Sequence, residues 1–390
     1  MSATRHGSAP PPSLRPVEGD GARHLYISGP GPRDMPGGDS PLEVEGRWRS
    51  ALLKEAEMLA HGGWTLAPSL ASIHVRGDGI HGGGYDGGEL SPEALRRLLT
   101  GLSSALAPGG ELALEIQGCL LTEEQLQAWF DAGVSRLNLA WPLADRLLSR
   151  GGLQLRDGLL RRLSSLKQES RQWGVDLEFG SSESQGERAE ALLQELVENH
   201  APTQVSLVEA EASGPADLVA DQYLALAQLL MGLGYEPWEL TSFSLPGHAP
   251  THGRAVWLGE AYLGLGPGAH SFLGGVRRWN LTEPEAYFSR IRHGLDPSAG
   301  MERPDPVQRR LEMVWAGLRL TQGIPLTRLP PRASRLQEDW IREGWAQPDP
   351  DRLRLTLDGW LLLDTLTIQL VEAWDIDDDS GGCRSSENRS

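Results

Sequence analysis

Apolar and polar positions along this chain repeat with two different periods. Short runs of strand character at residues 25–27, 72–75, 111–116, 136–140, 175–179, 204–208 and 238–243 alternate with longer amphipathic segments. The clearest helical segments are 42–61, 92–106, 123–132, 159–173, 188–199 and 218–232. Ser91-Pro92-Glu93 is a helix start, with Ser as the N-cap and Pro at the first helical position, where no N–H is needed. Parallel strands need a crossover long enough to be a helix, so the alternation predicts parallel pairing. Six or seven such units predict an α/β fold over residues 24–245, an open or closed (β/α) barrel rather than a sandwich.

Beyond Phe243 the pattern changes. Residues 246–280 are rich in Gly, Pro and aromatics and predict turns with no clear helix, so we place a domain boundary there and read 246–300 as a connecting region. Helical patterns return at 285–292, 307–320 and 326–340, followed by a strand-like run at 352–355 and a helix at 358–374. That order resembles a smaller, mostly helical, winged-helix-like module over 301–374. Residues 1–23 and 375–390 lack apolar periodicity and are expected to form a floppy leader and a disordered acidic tail.

Composition narrows the function. The 390 residues hold 36 Lys+Arg against 53 Asp+Glu, a formal charge of −17, and no basic block is longer than a pair. A chain this acidic repels polyphosphate, which argues against nucleic acid. No apolar run approaches the roughly 20 residues of a bilayer span, and the polar, Pro-rich start is unlike a signal peptide, so a soluble cytoplasmic protein is expected. Two cysteines, Cys119 and Cys383, supply neither a disulfide framework nor a multi-thiolate metal site.

Several residues invite chemistry. Glycine-rich stretches at 77–84 and 264–269 have the look of phosphate loops, but neither feeds a helix in a βαβ unit, and both read better as backbone turns. His74, His81, His248, His252 and His270 are candidate ligands or acid/base groups. His248, His252 and His270 fall near Trp257, Tyr262 and Trp279, with Arg254, Arg277 and Arg278 nearby in sequence. Imidazole, apolar walls and cations are what a haem site requires. Glu115 and Asp176 lie on predicted strands, where acidic side chains are costly unless paired. They could be an acid/base pair or hydrogen-bond acceptors for a ribose, or could simply point outward or bridge to Arg136.

With these residues in view, the chain resembles the HemW family of haem chaperones, relatives of oxygen-independent coproporphyrinogen III oxidase in the radical S-adenosylmethionine superfamily. The resemblance spans residues 25–372 and implies a partial (β/α) TIM-like barrel of radical SAM type followed by a smaller, mostly helical C-terminal domain. It rests chiefly on Tyr235-Glu236-Pro237-Trp238-Glu239-Leu240-Thr241-Ser242-Phe243, on Tyr262-Leu263-Gly264-Leu265-Gly266-Pro267-Gly268-Ala269-His270-Ser271, and on Arg278-Trp279-Asn280. Gly317-Leu318-Arg319-Leu320-Thr321-Gln322-Gly323-Ile324 adds to it.

The resemblance implies a [4Fe-4S] cluster held by a Cys-x₃-Cys-x₂-Cys motif, with S-adenosylmethionine on the remaining iron. Here those positions carry Pro32, Pro36 and Asp39. Proline has no ligating side chain and a lone carboxylate is a hard donor, so both cofactors are expected to be absent. Glu115 and Asp176 match family contacts to S-adenosylmethionine. The family's His-Asn-x-x-Tyr-Trp haem motif appears as His252-Gly253-Arg254-Ala255-Val256-Trp257. The resemblance therefore implies a haem-binding protein or haem chaperone without radical chemistry. His252 is the first choice for the iron ligand, His270 the second, and an unidentified protein is the haem acceptor. The alternatives are a non-catalytic scaffold on a degenerate fold, and a radical enzyme whose thiolates come from Cys119 or another subunit.

Overall fold

The computed structural model describes residues 21–29, 41–81, 92–117, 123–141, 171–210 and 213–382. The chain opens with β1 (His24–Ser28), α1 (Pro41–His61), β2 (Leu70–His81), α2 (Pro92–Ser103), β3 (Leu106–Gln117) and α3 (Glu123–Asp131). It continues through β4 (Arg136–Trp141), β5 (Gln172–Phe179), α4 (Glu183–His200), β6 (Gln204–Glu209) and α5 (Ala216–Gly232). These are the alternating units read from the sequence. The segment predicted as a helix at 159–173 ends in strand β5, because Trp173 is buried against the core; its remainder, 159–170, lies outside the described residues.

Strands β1 to β6 pair in parallel and in sequence order. The run 246–280, expected to be turns, instead forms α6 (Thr251–Trp257) and strands β9 (Tyr262–Leu265), β10 (His270–Leu273) and β11 (Val276–Asn280). Strand β9 joins β1 in parallel and carries β10, β11 and β12 (Ser298–Glu302) with it. At the far edge, β7 (Glu236–Glu239) and β8 (Ser242–Ser244) add antiparallel strands beside β6. The twelve-stranded sheet runs β12-β11-β10-β9-β1-β2-β3-β4-β5-β6-β8-β7, and among the described residues its two ends are not paired. Of the open and closed barrels that the alternation allows, this is the open, partial one that the resemblance implies.

Glycine disguised β9 and β10 as a turn. A Cβ on Gly264 would lie 2.1 Å from the His270 carbonyl oxygen. A Cβ on Gly266, at φ +102°, would lie 2.2 Å from the Ser28 carbonyl oxygen. Close approach of backbones demanded these residues.

The sheet has two unlike faces. Leu25, Ile27, Ile73, Val75, Leu112, Leu114, Leu137, Leu139, Val175 and Leu177 pack in one core with Trp48 of α1, Leu99 of α2, Trp129 of α3, Leu193 of α4 and Leu226 of α5. The intervening positions, 24 and 26, 72, 74 and 76, 111 and 115, 136 and 138, and 176, are mostly polar. Period-two alternation thus places an apolar layer under the helices and gathers ionisable groups on the opposite face.

After α7 (Pro284–Arg292) comes a second core around Val314, Leu318, Trp340, Leu353, Trp360 and Leu366. It is built from α8 (Pro306–Arg319), α9 (Ala333–Arg342), α10 (Leu357–Leu361) and α11 (Leu363–Gly382) around a small antiparallel sheet of β13 (Ile324–Pro325), β15 (Arg352–Leu355) and β14 (Ala346–Gln347). Pro306 and the reciprocal Asp305–Gln308 capping box start α8. The helix expected at 326–340 begins only at Ala333, after Pro330 and Pro331, and the one expected at 358–374 is divided at Leu362. Buried Glu239 accepts a 2.7 Å hydrogen bond from Arg319 Nε, which fastens this module to the large sheet's β7 edge. Among the described residues no helix is long and apolar enough to cross a membrane.

Candidate functional site

The polar face of the sheet is organised around His252. Its helix, α6, is held by Glu111, whose Oε1 accepts from the backbone N–H of Thr251 at 3.0 Å and of His252 at 3.4 Å. A carboxylate at a helix N-terminus is favoured by the exposed N–H groups and the dipole. Arg136 fixes that carboxylate through a 2.9 Å bond from Nε, and donates to the His248 carbonyl at 2.8 Å. Arg136 therefore pairs with Glu111, not with Glu115 or Asp176 as the sequence left open.

The imidazole of His252 is buried and bonded through Nδ1 to Ser72 Oγ at 3.1 Å. Ser72 Oγ also lies 2.8 Å from Nδ1 of buried His24, whose Nε2 is 3.1 Å from the half-exposed carboxylate of Glu260. The chain of contacts runs from solvent to the centre of the face. His74 lies beside it, its ring centroid 5.4 Å from that of His252 and stacked at 5.8 Å on Tyr26. Burial, reinforced by His74 and His24, pushes the His252 pKa down to about 2, so its imidazole is neutral across the physiological range.

Glu115 and Asp176 meet on the same face. His74 Nε2 is 3.2 Å from Glu115 Oε2, and Arg76 Nε is 3.0 Å from Glu115 Oε1. Burial raises the Glu115 carboxyl, but the hydrogen bond and charge of His74, helped by Arg76, leave it below the usual range. Asp176 goes the other way, up to about 7, first through burial and then through the negative charge of Glu115, against a hydrogen bond to Ser206. Two neighbouring carboxyls with proton affinities pushed apart can hold a proton and a charge side by side at neutral pH. Asn138, in register with Glu115 on the adjacent strand, keeps a buried Oδ1 with no hydrogen-bond partner among the described residues.

A second feature lies where α6 and β9–β11 face the C-terminal module. A cleft of about 550 Å³ is lined by Trp257, Tyr262, His270, Phe272, Arg277, Glu312, Trp315, Arg328 and Arg352, among others. His270 is exposed there, with Trp279 stacked at 6.3 Å, and its pKa is lowered by partial burial and by the positive charge of Arg277. Arg319 sits 4.5 Å over the Trp257 ring from behind.

The structure thus divides the haem constellation of the sequence. His252 faces the polar side of the sheet, whereas Trp257 and His270 line the cleft; Arg254 is exposed and lines neither. Arg277 borders the cleft. Arg278 does not: it is buried and donates to Asn280 at 2.7 Å and to Asp296 at 2.6 Å, beside fully buried Glu55. Glu55 accepts from the Gly266 N–H at 2.9 Å, Asn280 at 2.6 Å and Tyr287 at 2.6 Å, so the glycine-rich 264–269 stretch is a buried structural turn.

His24, Ser72, Trp315, Arg328, Arg352 and Glu312 were not singled out in the sequence. Polar residues at alternate strand positions were the signal for the first two; nothing local marked the others. Pro32, Pro36, Asp39, Cys119 and Cys383 lie outside the described residues, as do residues 82–84 of the first glycine-rich stretch.

No protein-family profile matches the chain. Among curated proteins it is 32% identical over 155 residues to heme chaperone HemW of Mycobacterium tuberculosis, 40% of each chain. It is 24% identical over 340 residues to heme chaperone HemW of Bacillus subtilis, 79% of this chain and 87% of that one. A mitochondrial radical S-adenosyl methionine domain-containing protein 1 of Bos taurus is 26% identical over 332 residues, 73% of this chain and 74% of that one. The match spans only about two fifths of the Mycobacterium protein's length. Among solved structures, coproporphyrinogen III oxidase (HemN) of Escherichia coli, a radical SAM enzyme, superposes with a TM-score of 0.67 over 93% of this chain and 96% of that one, at 15% identity. The chain therefore resembles HemW proteins and has the fold of a radical SAM enzyme.

Proposed function

We propose that this protein binds haem in the cleft between the large sheet and the C-terminal module, as a haem chaperone that does not run radical chemistry. The cleft carries the reading. It combines indole and phenyl walls, an exposed imidazole whose proton affinity is lowered, and three guanidinium groups, the set that a flat iron tetrapyrrole with two carboxylates requires. His270 would supply the axial nitrogen, Trp257 and Trp315 the apolar walls, and Arg277 and Arg328 partners for the carboxylates. Bound haem would be cargo for an acceptor protein. Buried His252, tied to Ser72, is better placed as a structural group of the polar face.

The expected cluster does not fit this chain. Pro32 and Pro36 offer no donor atom, and Asp39 offers a hard one, so no reaction step is drawn through iron–sulfur or S-adenosylmethionine. Glu115 and Asp176 would then persist as a carboxyl pair without the reaction that family members perform beside them.

Titration of haem into the purified full chain, followed at the Soret band, tests the reading. Wild type should shift the band, His270→Ala should shift it differently or abolish binding, and His252→Ala, checked for folding by circular dichroism, should retain the wild-type spectrum. A free-haem spectrum after mixing with wild type would remove the function. A site-differentiated cubane signal in electron paramagnetic resonance after anaerobic reconstitution would overturn the loss of the cluster.

A further inference from the structure

One side chain in the cleft has the wrong sign for an anionic ligand. Glu312, on α8, reaches across to Arg277, on β11, with Oε1 2.5 Å from a terminal guanidinium nitrogen. The other terminal nitrogen lies 3.5 Å from Glu302, the register partner of Arg277 on β12. Glu312 borders the cleft and Glu302 does not. Both partners of the Arg277–Glu312 pair keep contact with water, at 30% and 48% exposure, so the pair is only weakly stabilising and easily exchanged.

We propose that Glu312 is a built-in competitor for the ligand's carboxylate: it occupies the cleft side of Arg277 until a carboxylate of the bound tetrapyrrole displaces it. The proposal rests on the haem reading of the cleft. Exchanging one carboxylate for another at a guanidinium is close to neutral by itself. A small carboxylate therefore gains nothing at Arg277, while a ligand also held by the Trp257 and Trp315 rings gains its apolar burial in addition. Arg328, which makes no hydrogen bond or ion pair among the described residues, is open to the second carboxylate, whereas Arg352 is committed to the carbonyls of Gln322 and Gly323. Glu312 thus makes the cleft selective for large apolar dicarboxylates over small anions, by presenting a like charge that only a doubly anchored ligand overcomes. Because the pair joins β11 to α8, its exchange would also release one link between the sheet and the C-terminal module, while the buried Glu239–Arg319 link stays closed.

Haem and its dimethyl ester, titrated separately into wild type, Glu312→Gln, Glu302→Gln and Arg277→Gln, test this. Glu312→Gln should bind haem roughly two- to fivefold more tightly than wild type, the range expected for removing an exposed ion pair. The gain should shrink as salt is raised. It should vanish for the dimethyl ester, which has no carboxylates, and Glu302→Gln should stay near wild type. Arg277→Gln should weaken haem but not the ester. Unchanged haem affinity in Glu312→Gln, equal tightening toward the ester, or equal tightening by Glu302→Gln would overturn the competitor role while leaving the haem reading intact. Haem bound by neither wild type nor Glu312→Gln would overturn both.

Discussion

Asp176→Asn offers the sharpest test of the polar face. The folded protein raises the Asp176 carboxyl from 3.8 to about 7, through burial first and the Glu115 charge second; His74, Arg76 and Ser206 are the other groups acting on it. The unfolded chain releases this proton near 3.8 and the folded one near 7, so stability from this group is greatest at low pH and falls as pH rises through that window. At about 1.4 kcal/mol per tenfold change in proton affinity, the full deficit above pH 7 is about 4 kcal/mol, against about 2 kcal/mol at pH 5. Asparagine is neutral at both. Asp176→Asn should therefore stabilise the protein more at pH 8 than at pH 5, by a difference of about 2–3 kcal/mol. His252 has the opposite slope: its depressed pKa means that stability is lost as pH falls below about 6.5. It is present in both proteins and cancels. Urea unfolding of wild type and variant at the two pH values measures the difference. An equal increment at both, or a loss at pH 8, would refute the claim that burial, reinforced by the Glu115 charge, raises the proton affinity of Asp176 toward neutrality.

Two further outcomes follow from the packing. Glu239→Ala leaves the Arg319 guanidinium without its buried partner and should cost about 3 kcal/mol; the same change in an Arg319→Ala background should cost much less, as read by a double-mutant cycle in urea. Gly266→Ala sets a Cβ 2.2 Å from the Ser28 carbonyl at φ +102° and should cost about 3 kcal/mol or more, whereas Gly259→Ala, at φ +73° with open space around it, should cost about 1 kcal/mol in thermal unfolding.

Much of the fold is written locally. Val75 beside His74 and Arg76, or Leu114 beside Glu115, alternates with the two-residue period of a strand, and the segment at 218–232 repeats with that of a helix. Those periods establish the α/β architecture, and the order of later segments foretells the C-terminal module. The stretch 246–280 misled because Gly264 and Gly266, placed where backbones nearly touch, weaken the strand signal around Tyr262 and Leu265.

The site was legible only in pieces. His252 and Trp257 look like neighbours in a motif, yet five residues along α6 is about 500° of rotation, which leaves them about 140° apart on the helix. One side chain consequently meets the sheet and the other the cleft. Apart from Tyr262, the residues that surround His252 are far away in sequence: Ser72 is 180 positions from it, and His24 is 236 from Glu260. The sequence alone determined which residues alternate and in what order strands and helices follow one another. Only the tertiary structure decided which polar groups share a face and which cations border a cleft, because long-range register and helix rotation, not local propensity, bring such residues together.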